Sequence, residues 1–198
     1  MIEVSVHDVL LRAPKAGDAK WLAQPKDYKL GLMRVILLKE RSGERIYPIW
    51  VGPAEGDYIA ILLEKLSLMR PTPFDLTVQL LAFGAMKINR VAVTALRDNI
   101  YYATISVQSP GGSREMDARP SDAISLALLT GAPIFVAPDA FKETEIDNPT
   151  LAVPKVGEAE NKAIAEGRVQ PQPESVEMEW RSFRSLPRDH PEWLKPSS

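Results

Sequence analysis

The chain contains no cysteine and only two histidines, His7 and His190, among its 198 residues. The absence of cysteine excludes a disulfide framework, a thiolate zinc site and a cysteine nucleophile. Neither histidine lies in a motif, which argues against a mechanism in which imidazole moves protons, because proton transfer requires hydrogen-bond contact. The sequence therefore favours carboxylates and arginines as the carriers of any chemistry.

Long apolar runs and an excess of charge of either sign are also missing. No stretch approaches the roughly 18 apolar residues of a membrane-spanning helix. The N-terminal residues alternate charged and apolar side chains and show no signal peptide, so we expect a cytoplasmic protein. The 24 Lys and Arg against 26 Asp and Glu leave a net charge of −2. Contact with nucleic acid would therefore have to be local or assisted by a metal ion.

Composition divides the chain near Pro149. With 45% hydrophobic residues overall, residues 1–147 suffice for one domain with its own core. Residues 148–198 are rich in proline and charge with little apolar periodicity, and we predict a mostly extended or mobile tail. One tail segment, Val176–Trp180, alternates like a strand and would dock on the chain's own sheet, on a neighbouring subunit or on a partner.

Within the domain, hydrophobic periodicity predicts three strands, two helices, three strands, a helix and a short strand. The predicted strands cover residues 2–11, 32–38, 45–51, 88–96, 100–108, 113–118 and 133–136. The predicted helices cover residues 53–69, 73–84 and 120–130, and the buried side of the second consists of Leu76, Leu80, Leu81 and Phe83. This order favours an α+β fold with a strongly curved, mainly antiparallel sheet.

The start of the third predicted helix gathers chemically useful side chains. Asp117, Arg119, Ser121 and Asp122 lie within six positions where a strand meets a helix. Pro120 suits the first helical position, and Asp122 then lies in the first turn, where the helix dipole favours negative charge. A helix cap or a local ion pair explains each residue singly. Their grouping at one helix entrance is what indicates a function.

Two further acids begin the other predicted helices. Thr72 and Asp75 have the spacing of a capping box around Pro73. Glu55 lies in the first turn after Pro53, where the helix dipole stabilises a carboxylate. Capping and dipole effects are sufficient explanations for both acids, and a functional role is the alternative.

Three stretches resemble the bifunctional nuclease family, small bacterial and plant proteins credited with cleaving both DNA and RNA. They are Leu38–Glu40 with Tyr47–Glu55, then Arg70–Leu76, and then Asp117–Ile124 with Thr130–Ile134. The resemblance covers residues 1–147 and implies a pseudo-barrel of strands capped by helices, often in homo-oligomers, for which we favour a dimer here. The family commonly has histidine before the acid of the second stretch, where this chain has Phe74.

Phosphodiester hydrolysis, which the resemblance implies, needs a positioned water, neutralised phosphoryl charge and help for the leaving oxygen. Carboxylates provide these by holding a divalent metal, and hard oxygen ligands suit Mg²⁺ or Mn²⁺. The candidate catalytic acids are Asp117, Asp122, Glu55 and Asp75. Of these, Asp117 and Asp122 are the candidate metal ligands. Arg119 and Arg70 would bind phosphate in a bidentate manner, and Ser121 would donate a hydrogen bond to it.

The sequence leaves three hypotheses open. The leading one is a nuclease for DNA and RNA with little sequence preference. The alternative is a non-catalytic oligomeric binding or regulatory module with an anion pocket at residues 117–122, and the third is a structural oligomer whose interface is built by the first two helices. Carboxylates within about 4–5 Å of one another would favour a metal site, whereas buried acids paired with arginines would favour the other two hypotheses.

Overall fold

The computed structural model describes residues 1–14, 34–66, 68–98, 100–141 and 178–185. Eight strands and three α-helices lie in these ranges. The strands are β1 (Ile2–Pro14), β2 (Arg34–Glu40), β3 (Ile46–Val51), β4 (Lys87–Arg97), β5 (Ile100–Ser109), β6 (Gly112–Ala118), β7 (Ile134–Val136) and β8 (Met178–Ser182). The helices are α1 (Pro53–Leu63), α2 (Pro73–Phe83) and α3 (Pro120–Thr130), with short 3-10 helices at Pro138–Phe141 and Phe183–Ser185.

One mixed sheet contains all eight strands in the order β3-β2-β1-β7-β4-β5-β6, and β8 pairs with β1. Only the pairing of β4 with β7 is parallel among the pairings of the described strands. Register shifts interrupt β1 beside His7 and β4 at two places, and such bulges bend and twist a strand. The predicted α+β fold with a curved, mainly antiparallel sheet is therefore confirmed.

The core lies between the sheet and helices α1 and α3. Ile59 of α1 and Ile124 of α3 are fully buried against strand residues such as Ile36 and Val93. An aromatic cluster extends this core, since the rings of Tyr47 and Tyr101 each lie 5.1 Å from that of Phe141. Burial and a hydrogen bond donated to the Glu40 carboxylate raise the pKa of Tyr47 to about 12. Its hydroxyl therefore stays protonated at neutral pH.

Helix α2 differs from its prediction in the face that it buries. Phe74, Val78 and Leu81 pack against the core, whereas Leu76 and Leu80 are more than half exposed. Phe83 is likewise exposed, so the prediction of a buried side was wrong except for Leu81. The buried row (Phe74, Val78 and Leu81) and the exposed row (Leu76, Leu80 and Phe83) both have spacings of four and then three residues. Periodicity alone therefore could not show which row is buried. Stacking of Phe74 on Tyr58, with ring centroids 5.0 Å apart, favours the observed face.

The described part of the C-terminal region docks on the chain's own sheet. Strand β8 pairs antiparallel with residues 10–14 of β1. The Ser182 hydroxyl donates to Asp8 at 2.9 Å, and Arg184 donates to Glu64 at 2.7 Å. His190 and most of the predicted tail lie outside the described residues. Within the described ranges, no helix has the length and apolarity needed to cross a membrane.

Gly56 provides a test of how α1 packs on β2. A Cβ at this position would lie 2.3 Å from the Cβ of Arg34, an atom too close to the backbone to move aside easily. We expect Gly56→Ala to lower the free energy of unfolding by about 1–3 kcal/mol, as overpacking does. Urea unfolding followed by circular dichroism measures this.

Gly111→Ala is the matched control, because its nearest heavy atom would be 3.8 Å away. Its effect should stay within about 0.5 kcal/mol. Equal stability of the two variants would contradict the close contact between α1 and β2.

Candidate functional site

The three α-helices begin with the same local pattern. Each has proline at its first position and an acid two residues later. The N-terminal sequences are Gly52-Pro53-Ala54-Glu55, Thr72-Pro73-Phe74-Asp75 and Arg119-Pro120-Ser121-Asp122. Proline is preorganised for this position, and the acid faces the positive end of the helix dipole. Three acids are thus fixed at helix N-termini, and their partners differ.

Arg119 joins two of these acids. Its Nε and Nη2 donate to the two carboxylate oxygens of Asp122 at 2.8 and 3.0 Å. Its Nη1 donates to Oε1 of Glu55 at 3.1 Å, across 64 residues of chain. These hydrogen bonds raise the pKa of Arg119, and the bond to Asp122 contributes most. One guanidinium therefore bridges the N-termini of α1 and α3.

Gly52 makes room for this arrangement at the start of α1. A Cβ at position 52 would lie 2.5 Å from Oε2 of Glu55, so the carboxylate lies directly over the glycine. The side chain of Arg119 is 66% exposed, whereas those of Glu55 and Asp122 are 27% and 28% exposed. The two carboxylates are therefore the more buried members of the cluster, and the guanidinium faces solvent.

Asp117 and Ser121 flank this cluster in different ways. Asp117 pairs through its backbone with β5 near the end of β6. Its exposed side chain makes no hydrogen bond or ion pair within the described residues, so it is not the partner of Arg119. Ser121 is only 5% exposed in the first turn of α3. Asp117 is thus the more accessible of the two predicted site residues.

Asp75 and Arg70 belong to a separate group between α1 and α2. Asp75 accepts hydrogen bonds from the backbone N–H and hydroxyl of Thr72 at 2.7 and 2.6 Å, which confirms the predicted capping box. The hydroxyls of Tyr58 and Thr72 are 2.8 Å apart. Arg70 is exposed and, like Gln79 and several leucines, lines an open groove of about 360 Å³. The structure therefore gives Asp75 a sufficient structural role and leaves the Arg70 side chain at a groove.

The sequence analysis missed the groove, because neither Tyr58 nor Gln79 belongs to a motif that it identified. Tyr58 lies three residues after Glu55, so both face the same side of α1. The Arg119 cluster lies at the N-terminus of α1, and the groove, lined by Tyr58, Ile61 and Leu62, lies farther along the same helix. The helical spacing of residues 55 and 58 was the signal available in the sequence.

The available Asp, Glu and His side chains limit the kind of metal site that could form here. The described ranges contain no group of three or more His, Asp or Glu side chains close enough to hold a metal ion. Mg²⁺ in proteins is often bound by one or two carboxylates together with waters and substrate phosphates. Both carboxylate oxygens of Asp122 already accept hydrogen bonds from Arg119, so a metal ion at Asp122 would have to share this carboxylate with the guanidinium.

Arg119 retains binding capacity toward anions. A guanidinium has five N–H donors, and the Glu55 and Asp122 contacts occupy three of them. The remaining donors belong to a side chain that is largely exposed. Two helix N-termini contribute positive potential beside it. With Glu55 and Asp122 ionised, the three-residue cluster carries a formal charge of −1, so an oxyanion would be held by these directed N–H groups and not by net positive charge.

Comparison with known proteins gives the following matches. A model of the bifunctional nuclease domain matches residues 36–149. Uncharacterized proteins from two strains of Mycobacterium tuberculosis are 33% identical over 102 residues, which cover 52% of this chain and 60% of each relative. Proteins named bifunctional nuclease, from Oryza minuta, and bifunctional nuclease 1, from Oryza sativa subsp. japonica, are 21% identical over 140 residues. These cover 58% of this chain and 42% of each rice protein, so the chain spans less than two thirds of its matched relatives.

A double-mutant cycle tests the bridge between the two helices. We expect Arg119→Met and Glu55→Gln to show a coupling free energy of about 0.5 kcal/mol, because solvent screens an exposed guanidinium. The four proteins of the cycle are compared by urea unfolding at low salt. Arg90 and Glu115, which are 3.4 Å apart and both half-exposed, give the coupling of another exposed pair for comparison. A coupling between Arg119 and Glu55 that is indistinguishable from zero would contradict the bridge.

Proposed function

We propose that this chain is a nuclease, because it belongs to the bifunctional nuclease domain family. The proposed reaction is hydrolysis of phosphodiester bonds in DNA and RNA with little sequence preference. The observation that supports a site at the start of α3 is the exposed Arg119 guanidinium where two helix N-termini meet. Proteins named bifunctional nuclease among the relatives support the substrate class.

In this proposal Arg119 binds the substrate phosphate. Glu55 and Asp122 hold the guanidinium in one orientation, with its free N–H groups facing solvent. The side chain is therefore preorganised and need not be ordered when phosphate binds. Neutralising charge on the phosphoryl oxygens favours attack by water and departure of the leaving oxygen. Arg70, at the groove beside α1, would bind another phosphate of the same nucleic acid.

Asp117 is the proposed catalytic carboxylate. It is exposed, lies two residues before Arg119, and has no partner within the described residues that would neutralise it. We propose Asp117 and Asp122 as ligands for Mg²⁺ or Mn²⁺, which would activate water and offset phosphate charge when bound. A metal shared with the substrate would also let a chain with net charge −2 approach a polyanion.

The second candidate function is a non-catalytic binding or regulatory module with an anion pocket. One observation favours it: both Glu55 and Asp122 are paired with Arg119, and the described residues hold no larger acidic group. In that case the same guanidinium would bind a phosphate-bearing ligand without cleaving it. Binding without turnover distinguishes this candidate from the nuclease.

We also propose that the chain works as a homo-oligomer, with a dimer favoured. The exposed apolar side chains of α2 support self-association. The nuclease proposal does not depend on it, because the cluster around Arg119 is formed within one chain.

Cleavage of single-stranded RNA and DNA tests the nuclease directly. With Mg²⁺ or Mn²⁺ we expect cleavage that chelator abolishes, and kcat/KM lower by on the order of 10²-fold in Asp117→Asn and in Arg119→Ala. Gel assays with end-labelled oligonucleotides measure the rates. Asp98→Asn is the matched control, because Asp98 is an exposed turn acid with φ 50°, a conformation that asparagine tolerates.

Equal cleavage by all variants would contradict the proposed site. If no protein cleaves while fluorescence anisotropy shows that Arg119→Ala weakens oligonucleotide binding, the anion-binding module replaces the nuclease.

A further inference from the structure

Strand β5 carries a tyrosine on the side of the sheet that faces away from the core. Side chains of a strand alternate between the two faces of its sheet. Ala103 and Ile105 are buried in the core, so Tyr102 and Thr104 project from the opposite, outer face. Thr104 pairs with Asp117 of β6, and directly paired residues share a face. Asp117 therefore lies on the same outer face as Tyr102, roughly 7–8 Å away as diagonal neighbours in antiparallel strands are.

The same register places Arg119 beside Tyr102. Ala103 pairs with Ala118, so one residue further along the two antiparallel strands Tyr102 lies opposite position 119. The backbone at Arg119 is still extended, with φ −70° and ψ 145°. Ala118 packs against the core, so its neighbours Asp117 and Arg119 leave the chain on the other side. Tyr102 is thus adjacent to both residues that we propose to act on the phosphodiester.

The ring of Tyr102 already holds a guanidinium. The Cζ atom of Arg97 lies 5.4 Å from the ring centroid, a distance typical of a cation–π contact. Arg97 is exposed and has no ion-pair partner among the described residues. Small residues surround the ring: Ala95 lies directly opposite Tyr102, and Thr94, at a bulge of β4, donates its hydroxyl to the Tyr102 carbonyl at 3.3 Å. The planar groups of Arg97 and Tyr102 are therefore open to a ligand.

We propose that the Arg97–Tyr102 pair stacks one base of the nucleic acid whose phosphate binds at Arg119. This proposal rests on the proposed function and names the part of the substrate that is held beside the reacting phosphate. Proteins bind unpaired bases by stacking them on aromatic rings and on guanidinium planes. Both kinds of surface are in contact here. A stacked base would position its own phosphodiester between Arg119 and Asp117.

The charges on this face also favour stacking over simple attraction of a polyanion. Arg97 and Asp117 have opposite charges, and Arg90 is paired with Glu115 at 3.4 Å. Electrostatic attraction is therefore weak, and a contact with the base supplies affinity that charge does not. Every base has a π-face, so stacking tolerates any sequence. This agrees with the little sequence preference of the proposed nuclease.

Fluorescence anisotropy with two labelled probes tests the proposal on the full chain. One probe is oligothymidylate, and the other is an abasic oligomer of the same length, so only the first carries bases. Chelator is present, which keeps both probes intact. The wild type should bind oligothymidylate about 10-fold more tightly than the abasic probe, in the range that stacking of one base provides.

Four variants locate that preference. Tyr102→Leu and Arg97→Lys should each remove most of it without changing the affinity for the abasic probe, since lysine keeps the charge and loses the plane. Tyr102→Phe should keep the preference, because the ring remains. Arg114→Lys is the matched control, since Arg114 is exposed on β6 but pairs with the core-facing Val107, on the other face of the sheet. Circular dichroism checks that each variant is folded.

The outcomes separate this proposal from the nuclease. Equal binding of both probes by the wild type, or a preference that survives in Tyr102→Leu or in Arg97→Lys, would overturn the stacking site while measured cleavage still supports the nuclease. A preference that both variants lose, in a protein that cleaves nothing, would support the stacking site and overturn the nuclease. Failure to bind either probe would overturn both.

Discussion

The fold depends on the pairing of one three-residue strand with two neighbours. Strand β7 pairs antiparallel with Ile2–Val4 and parallel with Val91–Val93. In the described sheet it is the link between the unit β1-β2-β3 and the unit β4-β5-β6. Ile134 and Val136 are buried there, and Ala137 extends the ladder by donating to Val93 at 2.8 Å. Without β7 the chain would form two separate antiparallel sheets.

The candidate site follows from the connection to β7. Strand β6 lies at one edge of the sheet and β7 near its middle, so α3 has to cross β4 and β5 to connect them. Arg119 occupies the N-cap position at the start of that crossover, and Gly131 ends it with φ 70°. The crossover brings the N-terminus of α3 beside that of α1, where Arg119 contacts Glu55. Since an exposed ion pair adds little stability, the packing of the helices positions the charges, and the charges remain available to bind a ligand.

Strong local signals in the sequence predicted the first and last residues of some elements correctly. Helix α3 occupies 120–130 as predicted, because Pro120 and Gly131 mark both ends. Helix α1 instead ends at Leu63, although Leu66 continues its apolar spacing. Lys65 adopts φ 54° and closes the helix there, a left-handed position that usually belongs to glycine. A non-glycine residue in that conformation gives the sequence reader no signal.

Tertiary contacts determined what the sequence could not. The second partner of Arg119 is 64 residues away, and only the relative placement of α1 and α3 brings Glu55 to it. The face of α2 was chosen by the stacking of Phe74 on Tyr58, since two apolar rows of equal spacing compete along that helix. Motif residues therefore indicated the region of the site, and packing decided which residues meet.

The central claim is that the entrance of α3 binds the phosphate of a nucleic acid. A crystal structure with a short RNA whose phosphodiesters resist hydrolysis tests it most directly. The account predicts a phosphate oxygen within hydrogen-bond distance of an Nη atom of Arg119, with the Glu55 and Asp122 contacts retained. RNA bound elsewhere on the protein, with Arg119 free of phosphate, would contradict it.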